Sequence, residues 1–359
     1  MWFRNALTER LGLQWPILQA PMGDKTTPML AAAVSNAGAL GGLGMSGLHP
    51  DNVRRRIEGF RQQSGGSLNV NYLLWETPGN LSDAGMPMRE TLQTLYDKDG
   101  LGSVPEPTPS RSAMDRDHLD VLTELKPEVA SFHFGLPGPE AVQELKAVGT
   151  LIICSATTVA EAVALEADGA DAIIAQGIEA GGHRGTFTDV DISMQPGLFA
   201  LLPQVVAAVS VPVIAAGGIV NGRTIAAAMM LGASAVQLGT AFLRCGEANV
   251  ADAHRHALST AKDSGTMVTD VVSGKLARFL KNALIDTLAG DEPLPFPSQL
   301  RLTAPLAEAG DPQYMALYAG QSAALTVEMP AGELVQKLID DTSACFKRFS
   351  QSKHSNNKI

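Results

Sequence analysis

Eight short apolar runs punctuate the chain: PILQA (16–20), ALGGL (39–43), LNVNYLL (68–74), VASFHF (129–134), TLIICSA (150–156), AIIAQ (172–176), PVIAA (212–216) and AVQLG (235–239). Most are apolar throughout rather than alternating, the pattern of parallel strands covered on both faces. Between them lie segments with helical spacing, among them 28–38, 50–63, 139–149, 158–169 and 222–232. Each has Pro at its start or Gly at or near its end, as helix punctuation requires. The alternation predicts an α/β fold, a (β/α)8 TIM barrel over residues 1–264. A doubly wound sheet is the alternative, but no GxGxxG stands at the first βα turn.

Two stretches exceed a minimal barrel. Residues 75–112, rich in Pro, Gly and Ser, read as an excursion after the third strand, laid over one barrel end. Residues 265–350 read as a mainly helical extension packed on the barrel, and 351–359 as a flexible tail.

Composition narrows the picture. Apolar residues make up 45% of the 359 positions and charged residues 18%, so a large core forms and disorder is excluded. The formal charge is −10 and no long basic run occurs, so nucleic acid is not an expected partner. Cys154, Cys245 and Cys345 form no disulfide framework and no metal-ligand spacing, which predicts free thiols in a reducing compartment. The N-terminal stretch has no apolar h-region and carries Glu9, so it is not expected to act as a signal peptide. Residues 192–222 carry no charge, but Pro196, Pro203, Pro212 and Gly217-Gly218 break them. They read as a buried helix and a buried strand rather than a membrane span. A cytoplasmic protein is expected.

Chemistry in such a barrel sits at the strand C-termini. Gly217-Gly218 after the seventh strand and Gly239-Thr240 after the eighth place backbone N–H groups side by side, a phosphate-binding arrangement. Asn71, Gln176 and Gln237 add amides near strand ends, suited to the edge of a heteroaromatic cofactor such as a flavin. His183 follows Gly181-Gly182, which lets the backbone approach a ligand closely, and an imidazole suits general base work near neutral pH. Arg184 offers a cation to an anionic substrate, and His133 ends the fourth strand. No Ser-His-Asp grouping, HExxH or Walker lysine is present, and nothing calls for a metal.

In order along the chain, QAPMG (19–23), VSNAGALGGLG (34–44), NVNYLL (69–74), VASFHFGLP (129–137), AQGIEAGGHRG (175–185), PVIAAGGI (212–219) and VQLGTAF (236–242) resemble the nitronate monooxygenase family, formerly called 2-nitropropane dioxygenases. GGHRG is the most specific block. The resemblance implies non-covalent FMN at the barrel mouth, held by Met22, Asn71, Gln176, Gly181, Gly218, Gln237, Gly239 and Thr240. It implies His183 as the catalytic residue and His133 as part of the substrate lining, beside Arg184. Lys275, Arg278, Tyr318 and Gln321 fall in looser C-terminal motifs that would reach cofactor or substrate, and the role of Asn69 is left open. The implied reaction is oxidation of an alkyl nitronate, propionate 3-nitronate foremost, by O2 through a flavin semiquinone to a carbonyl compound and nitrite or nitrate. An NAD(P)H-dependent FMN barrel reductase and a non-enzymatic FMN-binding module are the alternatives. The physiological nitronate and a homodimer are left open.

Overall fold

A computed structural model describes residues 2–75, 81, 85–107, 114–189 and 191–355, with the backbone alone for 352–355. All eight apolar runs form parallel strands within two residues of their expected bounds. They are β1 (Ile17–Gln19), β2 (Gly41–Gly44), β3 (Leu68–Leu73), β4 (Val129–His133), β5 (Leu151–Ala156), β6 (Ala172–Gln176), and, after a two-residue strand β7 (Gly182–His183), β8 (Val213–Ala216) and β9 (Ala235–Leu238). Their lateral order is β1-β9-β8-β6-β5-β4-β3-β2, and a parallel bridge from Leu18 to Leu40 brings β1 round to β2. The ring is a (β/α)8 barrel. Its strands are buried almost without exception, which explains their unbroken apolar pattern.

The helices are α1 (Ala6–Arg10), α2 (Pro28–Asn36), α3 (Pro50–Arg61), α4 (Met86–Asp99), α5 (Arg116–Leu125), α6 (Pro139–Ala147), α7 (Val159–Ala167), α8 (Leu198–Ala208), α9 (Gly222–Met230) and α10 (Asp252–Ser259). After the hairpin β10 (Thr266–Thr269) and β11 (Ala277–Leu280) come α11 (Ala283–Leu288), α12 (Ser298–Glu308) and α13 (Ala331–Ser355). Local chemistry sets the starts: Thr27 caps α2 ahead of Pro28, and Asn221 forms a capping box with Thr224 on α9. The uncharged stretch from residue 192 resolves into α8 and β8, as its pattern predicts. No helix among the described residues is long and apolar enough to cross a membrane, and all three cysteines are free.

The structure adds three features to the expected division. First, the barrel's outer ring draws on the extension beyond residue 264. After β9 the chain makes only a 3-10 turn (Thr240–Arg244) and the short α10, so α13 packs on α9 and α2 and fills the eighth helix position. Its Leu334, Val335, Leu338 and Ile339 enter the main core. Second, the excursion carries α4, and the extension opens with the β10–β11 hairpin rather than with helix. Met88, Leu92 and Tyr96 of α4 join Phe279, Leu284 and Leu302 in a second core, because an apolar helix face must find cover. Residues 76–80, 82–84 and 108–112 of the excursion, and residue 113 after it, lie outside the described residues. Third, the tail is helical as far as Ser355, because α13 simply continues.

The α9–α13 crossing is close. A Cβ at Gly222 would lie 2.4 Å from the backbone of Asp341 and Thr342. Gly222→Ala should therefore lower unfolding free energy by about 1–3 kcal/mol, as overpacking does. Gly246→Ala, with nothing within 4 Å of its Cβ, should change it by less than about 0.5 kcal/mol. Urea titration reads both, and equal effects would contradict the close crossing.

Candidate active site

A cavity of about 530 Å³ opens at the C-terminal ends of the barrel strands, within the usual range for a small-molecule site. Met22 after β1, Gln176 at the end of β6, Gly218 after β8, and Gln237, Gly239 and Thr240 at β9 line it. His133, Gly181 and His183 line it too. The strand order thus brings together seven of the eight residues expected to hold a cofactor.

The strand β7 carries the histidine motif, and β11 fixes its place. Gly182 pairs with Arg278 and His183 with Ala277 in an antiparallel ladder, extended by Arg184 N–H to the Leu276 carbonyl at 2.9 Å. Gly182 holds φ +74°, a conformation that favours glycine. Gln176 secures the loop from inside: its Nε2 donates to the His183 carbonyl at 3.0 Å and its Oε1 accepts from Gly185 N–H at 2.8 Å. Gly181 permits the approach of the C-terminal segment, since a Cβ there would meet Gly320 N at 2.4 Å.

One end of the cavity is rich in unused donors. No acceptor is found for the backbone N–H groups of Gly218 and Gly239 among the described residues. Ser322 Oγ donates to Gly218 O at 2.8 Å, and Thr240 Oγ1 accepts from Gly320 N–H at 2.9 Å, which leaves the Thr240 hydroxyl hydrogen free. The Gln237 Oε1 is buried without a partner. Orphaned polar atoms around a cavity cost stability unless a ligand satisfies them, and this set fits the phosphate and ring edge of a flavin nucleotide.

The other end holds the histidines and an aromatic wall. The ring of His183 lies 4.9 Å from Phe296, 5.6 Å from Tyr318 and 6.1 Å from Phe134. Its Nε2 lies 3.1 Å from Ser273 Oγ. Burial foremost, then the proximity of His133 and Lys275, pushes its pKa down to about 3. Burial, then Arg184, pushes His133 down to about 4. Both rings are therefore neutral near pH 7. Asn71 Nδ2 donates to the Ser131 carbonyl at 3.0 Å and approaches His133 Nδ1 at 3.2 Å. That carbonyl fixes the amide orientation, so Nδ1 of His133 accepts and its Nε2–H faces Ser155 Oγ at 3.2 Å.

Several expected residues fall elsewhere. Arg184 is fully buried and not on the lining. Its guanidinium donates to Gln195 Oε1 at 2.8 Å and to the carbonyls of Gly177 and Gln176 at 2.9 Å each. The carbonyls at the end of β6 consume the charge that the sequence offers to substrate, so Arg184 is a strut beneath the loop. Arg278 does likewise, donating to the Ile178 carbonyl and Thr266 Oγ1. Asn71 lies behind His133 rather than on the lining, with its Oδ1 unpartnered, as is Oδ1 of Asn69. Lys275 sits 4.3 Å over the Phe134 ring, and Gln321 is exposed with its backbone N–H on Glu179 O. Tyr318 does line the cavity, its hydroxyl buried beside Ser273 without a completed hydrogen bond. The sequence reading misses Trp75, Phe296, Leu300, Ser322 and Ser273. All come from the excursion or the extension, where only DVVSGKLARFLKN and YAGQSA signal involvement. No group of His, Cys, Asp or Glu able to hold a metal occurs among the described residues.

Known proteins resemble this chain along nearly its whole length. A family model described as nitronate monooxygenase matches residues 4–341. Nitronate monooxygenase from Pseudomonas aeruginosa is 41% identical over 352 residues, covering 94% of this chain and 99% of its own. Nitronate monooxygenase from Paraburkholderia phytofirmans is 40% identical over 347 residues, covering 93% and 94%. Among solved structures, nitroalkane oxidase from Streptomyces ansochromogenes superposes with a TM-score of 0.88 at 38% identity, covering 96% of this chain and 100% of its own. FabK from Thermotoga maritima superposes with a TM-score of 0.74 at 30% identity, covering 97% and 99%.

The buried histidines make stability depend on pH. Unfolded, each titrates near its ordinary value of about 6.5. Folded, the two titrate at about 3 and about 4. Below the unfolded value the unfolded chain binds more protons, so this contribution is complete above about pH 6.5 and is lost as pH falls toward the folded values. Urea titrations without added ligand should show a loss of up to about 1.4 kcal/mol per histidine per pH unit between about pH 6 and 4. His133→Asn should flatten the slope, and an unaltered slope would contradict neutral burial.

Proposed function

The chain belongs to the nitronate monooxygenase family, and on that premise we propose that it binds FMN in the barrel-mouth cavity and oxidises alkyl nitronates, propionate 3-nitronate foremost, with O2. The products are a carbonyl compound and nitrite or nitrate. One observation carries the reading: a neutral imidazole, His183, is pinned at one end of a cavity whose other end presents unused backbone donors. Gly218, Gly239 and Thr240 would receive the phosphate, with Ser322 holding the Gly218 carbonyl. Gln237 Oε1 would meet the edge of the ring system, and Met22 and Gly181 would line its bed. Asn71 would act through His133 rather than by touching the cofactor. Bound FMN supplies the one-electron redox chemistry that joins the nitronate to O2.

His183 supplies the proton chemistry. A neutral nitroalkane must first lose the hydrogen on the carbon next to nitrogen. The C–H bond breaks, its electron pair stays with the nitronate, and the proton passes to the imidazole. The imidazole is unprotonated at neutral pH and so has a lone pair to accept that proton, while its lowered pKa makes it a weaker base than a free histidine. Trp75, Phe296 and Tyr318 form an apolar wall that limits water around it. A preformed nitronate needs no base and uses the same wall and cofactor.

His183→Asn should therefore lose about 10²- to 10⁴-fold in kcat/KM on nitroethane, lose clearly less on ethylnitronate, and still bind FMN. Equal losses on the two substrates would refute the base assignment. At the phosphate end, Gly218 holds φ +69°, so two variants separate charge from strain. Gly218→Asn should retain much more FMN than Gly218→Asp, because only the carboxylate repels a phosphate. Equal retention, read from the flavin absorbance of the purified variants, would remove the phosphate from this turn.

A further inference from the structure

We propose that Ser273 is a positioning residue for this chemistry: it holds His183 as the Nε2–H tautomer and so makes Nδ1 the one basic atom offered to substrate. The inference rests on the reading of His183 as a base. Ser273 is fully buried and has a single hydroxyl hydrogen. That hydrogen goes to the Lys275 carbonyl, 2.9 Å away. The Oγ can then only accept from His183 Nε2, 3.1 Å away, so Nε2 carries the proton. The lone pair of the neutral ring lies on Nδ1, which has no partner among the described residues, on a ring that lines the cavity.

The position of Ser273 is built rather than incidental. It stands in the β10–β11 turn, where both its own N–H and that of Gly274 return to the Asp270 carbonyl. Gly274 holds φ +82°, and a Cβ there would lie 2.1 Å from Leu294 O, so the turn is wedged against the segment leading to α12. The same hairpin therefore holds His183 twice, by the β11–β7 ladder along its backbone and by Ser273 at its ring. His133 has no such freedom. Asn71 and Ser155 occupy both of its nitrogens, so of the two histidines only His183 keeps a nitrogen for proton transfer. This is the logic by which a base is held in the productive tautomer by a third group.

The first test needs no substrate. Nitrogen-15 NMR of histidine-labelled protein at pH 7, with the His183 signals identified by their loss in His183→Asn, should show a protonated Nε2 and an unprotonated Nδ1. A protonated Nδ1 would overturn the proposal. The second test is kinetic. Ser273→Ala should mix the tautomers and lower kcat/KM on nitroethane at least about tenfold, with ethylnitronate little changed. Ser273→Thr, which keeps the hydroxyl, should restore most of the loss. Equal losses on both substrates, or no rescue by Thr, would overturn the positioning role. If the wild-type protein turns over no nitronate, the substrate reading fails, while the NMR result still decides the tautomer.

Discussion

The two-residue ladder between β7 and β11 is the constraint on which the rest of the site depends. GIEAGGHRG is a glycine-rich loop, and ordering such a loop costs about 1–2 kcal/mol per residue in backbone entropy. Left alone it would sample many conformations. Pairing of Gly182 with Arg278 and His183 with Ala277 removes that freedom at the point where the imidazole must be fixed. The ladder is stable because β11 is anchored elsewhere: Phe279 lies in a second apolar core with α4, α11 and α12. The excursion and the extension, which look like additions to a complete barrel, are thus what holds the His183 side chain over it.

Charge follows from the same geometry. The strand end at Gln176 and the loop after it expose carbonyl oxygens, and Arg184 and Arg278 reach in from two sides to satisfy them. Both cations are consumed in supporting the loop. His133, His183 and His254 and a belt of glycine backbone face the cavity, with Asp24, Lys25, Glu179 and Arg301 also on its lining. An anionic cofactor at that mouth would meet N–H dipoles that need no reorganisation, the usual way such barrels hold phosphate. The imidazole of His183 stays unprotonated because burial, foremost, and the nearby Lys275 disfavour a charged ring.

Most of the barrel is legible in the sequence because parallel strands covered on both faces must be apolar on both. The glycine pairs after β8 and β9 and the position of His183 are legible too, since they sit at predictable strand ends. What escapes is what depends on distant partners. Arg184 reads as a substrate cation because a sequence shows a charge but not the three oxygens waiting for it. Asn71 reads as a cofactor ligand, yet it stands one layer back, behind His133. The eighth outer helix comes from α13, about ninety residues after β9, and no local pattern announces that. Ser273 lies in a motif noted for its resemblance alone. Its single hydroxyl hydrogen acquires meaning only when Lys275 O and His183 Nε2 are seen on either side.

The most direct test of the account is the absorbance of the protein-bound flavin followed by stopped flow on anaerobic mixing, with propionate 3-nitronate in one experiment and NADH in the other. The account predicts rapid loss of the oxidised-flavin band with the nitronate, full recovery on admitting O2, and no comparable change with NADH. Rapid bleaching by NADH with the nitronate inert would contradict it, and would make the chain a nicotinamide-dependent reductase on the same barrel.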